Sequence, residues 1–103
     1  MREENFVDAI NEAITVYMDL YKKELNKTIE EMIGHFGWNK NYKVEEWLEM
    51  KNFQLLMNED YKDDATQSTI ILINNYNQAL GMFSVRRNSF EFEFSDVIIV
   101  NYL

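Results

Sequence analysis

Between Glu3 and Phe36 the apolar residues fall at Phe6, Ile10, Ala13, Ile14, Tyr17, Leu20, Tyr21, Leu25, Ile29, Met32, Ile33 and Phe36, with no proline among them. This is the three-and-four recurrence of a one-faced helix, and it predicts a long amphipathic helix over residues 3–36. At about 100° per residue, Phe6 to Tyr21 centre near 270° on a helical wheel, while Glu4, Asp8, Glu12 and Asp19 fall between about 40° and 120°. The acids therefore lie opposite the apolar stripe. Leu25, Ile29, Met32 and Phe36 have drifted to about 350°, so a straight helix turns its later apolar residues about 80° away from its first apolar face.

Length adds a second constraint. A helix of this extent reaches about 50 Å at 1.5 Å per residue, whereas a compact chain of this size is roughly 33 Å across. Either the helix stops or one end overhangs. Leu25-Asn26-Lys27-Thr28 offers the stop, because Asn26 can close a helix in the left-handed conformation and Thr28 with Glu31 has the form of a capping box. A break near residues 26–28 is the expectation; an unbroken helix would overhang and favour a dimer.

Gly37-Trp38-Asn39-Lys40-Asn41 suits the turn that ends the helix. Val44, Trp47, Met50, Phe53 and Met57 then recur at three, three, three and four, with Glu45, Glu46, Glu49 and Lys51 between them. The spacing predicts a second helix, with Phe53–Met57 open to a short strand instead. Asn58–Asp64 reads as an acidic connector or an extension of that helix.

From Ser68 the period changes. Thr69–Ile73 is apolar and β-branched, as in a strand covered on both faces. Asn74–Gln78 is a polar turn, Ala79–Arg86 a strand, and Ser89–Phe94 alternates strictly, with three phenylalanines on one face and two glutamates on the other. A two-residue loop at Arg87-Asn88 would pair Val85 with Phe90, Phe83 with Phe92 and Gly81 with Phe94. Ser95-Asp96 marks a turn or bulge, and Val97–Leu103 a final, largely buried strand. The fold class is α+β: a single domain over residues 1–103, with a helical half over 1–60 and a three- to four-stranded antiparallel meander over 67–103.

Composition bounds the rest. The chain has 103 residues, 47% of them apolar, and no cysteine, which removes disulfides, thiolate nucleophiles and cysteine metal sites. The first residues lack the form of a signal peptide, and no apolar run is long enough to span a bilayer. A soluble protein in the cytoplasm of a host cell is expected. Net charge is −8, and it sits mainly in the helical portion. Such a field disfavours direct contact with nucleic acid or anionic membrane and favours basic partners, or it simply keeps the protein soluble.

Catalytic chemistry finds little to work with. His35 is the one histidine, flanked by Gly34 and Phe36 at the helix end, and nothing in the spacing proposes a triad or a phosphate loop. Asn58, Asp60, Asp63 and Asp64 lack the glycine and terminal glutamate of an EF-hand loop, and Glu91 with Glu93 reads as a solvent-facing strand edge. Arg86 and Arg87 can pair with the chain's own acids or pin a carboxylate partner. No catalytic, cofactor or metal residue is assigned. Glu4, Asp8, Glu12 and Asp19 form the more specific feature: carboxylates four residues apart stand about 6 Å apart along the axis and resemble a nucleic-acid backbone in spacing and sign. An ordinary solvated face is the simpler account of the same residues.

Gly37-Trp38-Asn39 followed by Tyr42, Glu45 and Glu46, together with the run Ser68 to Asn75, resembles stretches of small acidic phage anti-CRISPR proteins. The resemblance covers a minor part of the chain, its elements come in reversed order, and Lys40, Lys43 and Trp47 stand where that pattern is more acidic. It implies an inhibitor of host defence. The resulting expectation is a non-enzymatic, protein-binding inhibitor that occupies a basic nucleic-acid-binding groove of a nuclease, through Glu4, Asp8, Glu12, Asp19, Glu45, Glu46, Glu49 and Trp38. The alternative is a structural or immunity-type domain that dimerises through an apolar helix face or a strand edge.

Overall fold

The computed structural model describes the backbone of residues 2–102 and the side chains of residues 6–102. Its first element, α1 (Arg2–Gly34), is 33 residues long and unbroken. The expected break at 26–28 is absent. Asn26 is an exposed mid-helix residue, and the Thr28 hydroxyl donates to the Glu24 carbonyl at 2.7 Å, one turn back, instead of capping a new helix. The drift of the apolar stripe is accommodated differently. Tyr21, Met32 and Ile33 are buried and Leu25 and Ile29 pack beside them, so the buried positions wind round the helix as it crosses its sheet. Residues 6–16 are all exposed and project beyond it.

The end of α1 is built from backbone. The Trp38 N–H donates to the Ile33 carbonyl and the Gly37 N–H to the Gly34 carbonyl, with Gly37 at φ +103°. These are the two bonds of a Schellman cap. The second helix, α2 (Val44–Lys51), ends the same way: Asn52 adopts φ 59°, ψ 37°, and the Phe53 N–H donates to the Leu48 carbonyl. Of the two readings of Phe53–Met57 the strand therefore holds and the helix does not, and residues 58–62 are strand rather than a connector or a helix extension. Beyond Asn52 the chain is strand β1 (Gln54–Lys62), so the helical half stops at Lys51, short of residue 60.

Strands β1, β2 (Ala65–Ile73), β3 (Ala79–Arg87) and β4 (Phe92–Phe94) form an antiparallel meander, with β5 (Ile98–Ile99) also paired to β3. Asp63 and Asp64 both hold positive φ in the two-residue turn that links Lys62 to its partner Ala65, the conformation that a tight hairpin requires. Asn74 organises the next turn: its side-chain oxygen accepts from the N–H groups of Tyr76 and Gln78, and its amide donates to Gln78 Oε1.

The β3–β4 hairpin differs from its expected register by four residues. Val85 faces Phe94, Arg86 faces Glu93 and Arg87 faces Phe92. Because the side-chain period is two, an even shift leaves Phe92, Glu93 and Phe94, the residues still in the strand, on their predicted faces. Local chemistry selects the longer loop: Asn88 Oδ1 accepts from the N–H groups of Phe90 and Glu91. Residues 89–91 are therefore loop, and Phe90 is 89% exposed. Next, β4 and β5 are separated by a bulge in which the Ser95 hydroxyl accepts from the Ser84 N–H at 2.8 Å. The expected final strand shrinks to two residues, and Ile98, Val100 and Tyr102 are exposed rather than buried.

One core joins these parts. Trp47 of α2, Met32 and Ile33 of α1, and Ile70, Leu72, Phe83 and Val85 of the sheet are buried in a single cluster. Gly81 lets α1 approach, since a Cβ there would lie 3.3 Å from Met32 Cγ and from the Ile98 carbonyl oxygen. The opposite side of the sheet is more open than expected for a strand covered on both faces. Leu56, Ile71, Met82 and Ile98 are direct cross-strand partners in one row there, with Leu56 and Ile98 exposed and the two central residues half-buried.

Candidate partner-binding surface

The projecting half of α1 begins where the sheet ends. Tyr17 marks the boundary. Its hydroxyl donates to the Asn88 carbonyl at 2.7 Å and reaches the Glu91 carbonyl at 3.1 Å, and its ring meets Phe92 edge-on at 5.7 Å. One turn later Tyr21 packs on Phe92 and Phe94, and the Arg87 guanidinium lies 5.1 Å over the Tyr21 ring. This contact occupies the guanidinium with an aromatic face, although Arg87 Nε itself is buried without a partner. Its neighbour Arg86 points to the other side of the sheet, opposite Glu93.

N-terminal to Tyr17, α1 carries two distinct faces. Phe6 is 67% exposed, Ile10 43% and Ile14 55%, and Val7, Val16 and Leu20 are also exposed. With Ala9, Ala13 and Met18, these residues occupy an arc from about 160° to 360° on the wheel. Asp8, Glu12 and Asp19 lie on the other side and are exposed. Glu4 belongs to α1 by its backbone, and its side chain lies outside the described residues. Between residues 6 and 18 the only charged side chains are Asp8 and Glu12.

The remaining predicted residues are separate from this face. Glu45, Glu46 and Glu49 are exposed on α2, and Glu45 lines a depression with Asn26, Glu30, Lys40 and Lys43. Asn26 and Glu30 lie at about 80° and 120° on α1, the same side as the acidic wedge. Trp38 is half-buried against the core, and its indole N–H donates to the Tyr42 carbonyl at 3.1 Å, so it anchors the loop between the helices. His35 is exposed just past α1, beside a depression lined also by Lys51, Tyr76 and Tyr102.

Among the described residues no group of three or more histidines or carboxylates is arranged to hold a metal ion. Asp63 and Asp64 form the hairpin turn, with Asp64 accepting from the Tyr61 hydroxyl. Among the described residues no helix is long and apolar enough to cross a membrane. The apolar arc was legible in the sequence as a stripe, and its exposure only as the alternative of an unbroken, overhanging helix. That follows from where the sheet stops.

Comparison with known proteins finds no family model, no curated protein and no solved structure that matches this chain.

Proposed function

We propose that this chain is a non-enzymatic, protein-binding inhibitor that presents the acidic edge of α1 to a basic groove, of the kind with which a nuclease holds nucleic acid. The supporting observation is the position of Asp8 and Glu12. They stand one helical turn apart on a segment that clears the body, so a groove can close around them without meeting the sheet. Asp19 lies on the same side seven residues further on, while Glu30 and Glu45 line their depression together with Lys40 and Lys43. Two carboxylates about 6 Å apart along the axis, as at Asp8 and Glu12, offer a cationic groove the sign and spacing of a nucleic-acid backbone. The partner class suggested by the resemblance to anti-CRISPR proteins is a CRISPR nuclease.

The test is displacement of labelled DNA from such a nuclease. The wild-type chain should compete, and Asp8→Lys with Glu12→Lys should weaken competition by at least about tenfold, because charge pairs across an interface govern association and register. Affinity should also fall steeply between low and high salt. A complex whose affinity does not change with salt would remove this reading. The second reading, a structural or immunity-type domain that dimerises, is favoured by the exposed stripe of Phe6, Ile10 and Ile14.

A further inference from the structure

Strand β1 borders the sheet and pairs with β2 from Gln54 to Lys62 without a bulge, so its other side presents backbone to solvent. The hairpin turn tells which groups these are. Asp63 and Asp64, at φ 56° and 58°, make a two-residue turn of the type that hydrogen-bonds its flanking residues, Lys62 and Ala65. Counting back by twos, Asp60, Asn58, Leu56 and Gln54 bond to β2, and the N–H and C=O groups of Leu55, Met57, Glu59 and Tyr61 point outward. Among the described residues no backbone group bonds to them. With no proline and no bulge, this edge lacks two of the devices that keep a strand from pairing further.

We infer that the edge receives an extended segment of a partner protein as an added strand, apolar at one end and basic at the other, with an apolar side chain seated in the groove beside Leu55. This surface is separate from the acidic edge of α1, and neither requires the other.

Two observations define the partner's chemistry. The first is the groove. Leu55 belongs both to the outward set and to the lining of a depression of about 690 Å³. Its other walls include Ile29 of α1, Trp38 and, from α2, Val44 and Leu48, all partly buried against the core. A strand laid along β1 turns alternate side chains to this side of the sheet. The residue paired with Leu55 therefore points to the groove, and the next on that side meets Met57, which is 53% exposed. On the opposite side the same strand extends the row of Leu56, Ile71, Met82 and Ile98. In such recognition, backbone pairing supplies affinity and the side-chain groove supplies selectivity.

The second observation is charge at the far end of the strand. Glu59 and Asp60 are exposed on opposite faces of β1, and Asp63 and Asp64 follow, against the single cation Lys62. Among the described residues the one side-chain hydrogen bond to Glu59 is a long one from the Ser68 hydroxyl, 3.5 Å. Opposite charges directly across a strand pair stabilise it and like charges do the reverse, so lysine or arginine belongs opposite these two acids. The same rule disfavours a second copy. Two β1 strands paired antiparallel over all nine residues would set Asn58 on its counterpart and the two Glu59 side chains as diagonal neighbours on one face, between chains that each carry −8.

Selection of displayed random nine-residue peptides on the full chain tests the inference. Enriched peptides should carry large apolar residues in one half, lysine or arginine in the other, and no proline. With one such peptide labelled, Glu59→Lys with Asp60→Lys should weaken binding at least about tenfold. Met57→Pro should do the same while keeping a cooperative urea transition, because the N–H it removes points outward; Asn58→Pro removes a ladder bond and should lower the urea midpoint. Bound peptide should slow amide exchange at Leu55, Met57, Glu59 and Tyr61, with little change at Leu56, Asn58 and Asp60. Failure to enrich any peptide, binding that survives the charge reversal or a folded Met57→Pro, or slowing at the alternate residues would each overturn the inference. Slowing of the outward amides with rising protein concentration and no peptide would assign the edge to a second copy and overturn it too.

Discussion

Single residues end the elements of this fold, and they do so through the backbone. Asn52, Asp63, Asp64 and Asn77 hold positive φ, where asparagine and aspartate are tolerated because their short polar side chains bond locally. Asn52 shows how much one such residue decides. The apolar spacing continues through it to Met57, yet the helix closes there, and everything after it becomes strand. The signal was present as Lys51-Asn52, a basic last-turn residue followed by a left-handed cap, but three-residue spacing of large apolar groups outweighed it. Gly37 has the same role for α1 at φ +103°. A Cβ at this position would meet nothing within 4 Å, so substitution is penalised only through the backbone. Gly37→Ala should therefore lower stability by about 1–2 kcal/mol, read as a lower urea midpoint with an unchanged slope.

At the level of elements, the long helix provides the cleanest test of competing accounts. Were Asn26 a left-handed helix end, Asn26→Ala would destabilise by about 1 kcal/mol. As an exposed residue inside a continuous helix, it should instead stabilise by a few tenths up to about 0.7 kcal/mol, the difference in helix propensity. Thermal unfolding of this variant distinguishes the two by sign. The capping-box pattern of Thr28 and Glu31 misled because the same hydroxyl can bond one turn back, and the sequence does not say which carbonyl or N–H it will choose. The β3–β4 hairpin errs in a related way. Alternation assigned Phe92, Phe94 and Glu93 to the correct faces but could not distinguish registers that differ by an even number. Asn88 and the Tyr17 hydroxyl, which is remote in sequence, fix the loop.

The whole molecule is elongated, with extents of 59 × 34 × 18 Å and a radius of gyration of 16.9 Å, against about 13 Å for a compact chain of this length. The excess is the projecting half of α1. Since residues 6–16 are exposed throughout, a chain beginning at Ala13 should keep its core. Its near-ultraviolet signal from the buried Trp47 and a cooperative urea transition should persist; a loss of cooperativity would mean that the first turns belong to the core after all. The sequence by itself determined the element types of most of the chain, the faces of its strands and the opposition of acidic and apolar sides on α1, because these depend on periodicity and short-range sterics. It also posed the conflict between helix length and domain size. Only the tertiary structure decided how that conflict ends. The sheet is short along the helix axis and stops at Tyr17, so the continuous helix outruns it, and half of an apolar stripe that reads as core is left facing solvent.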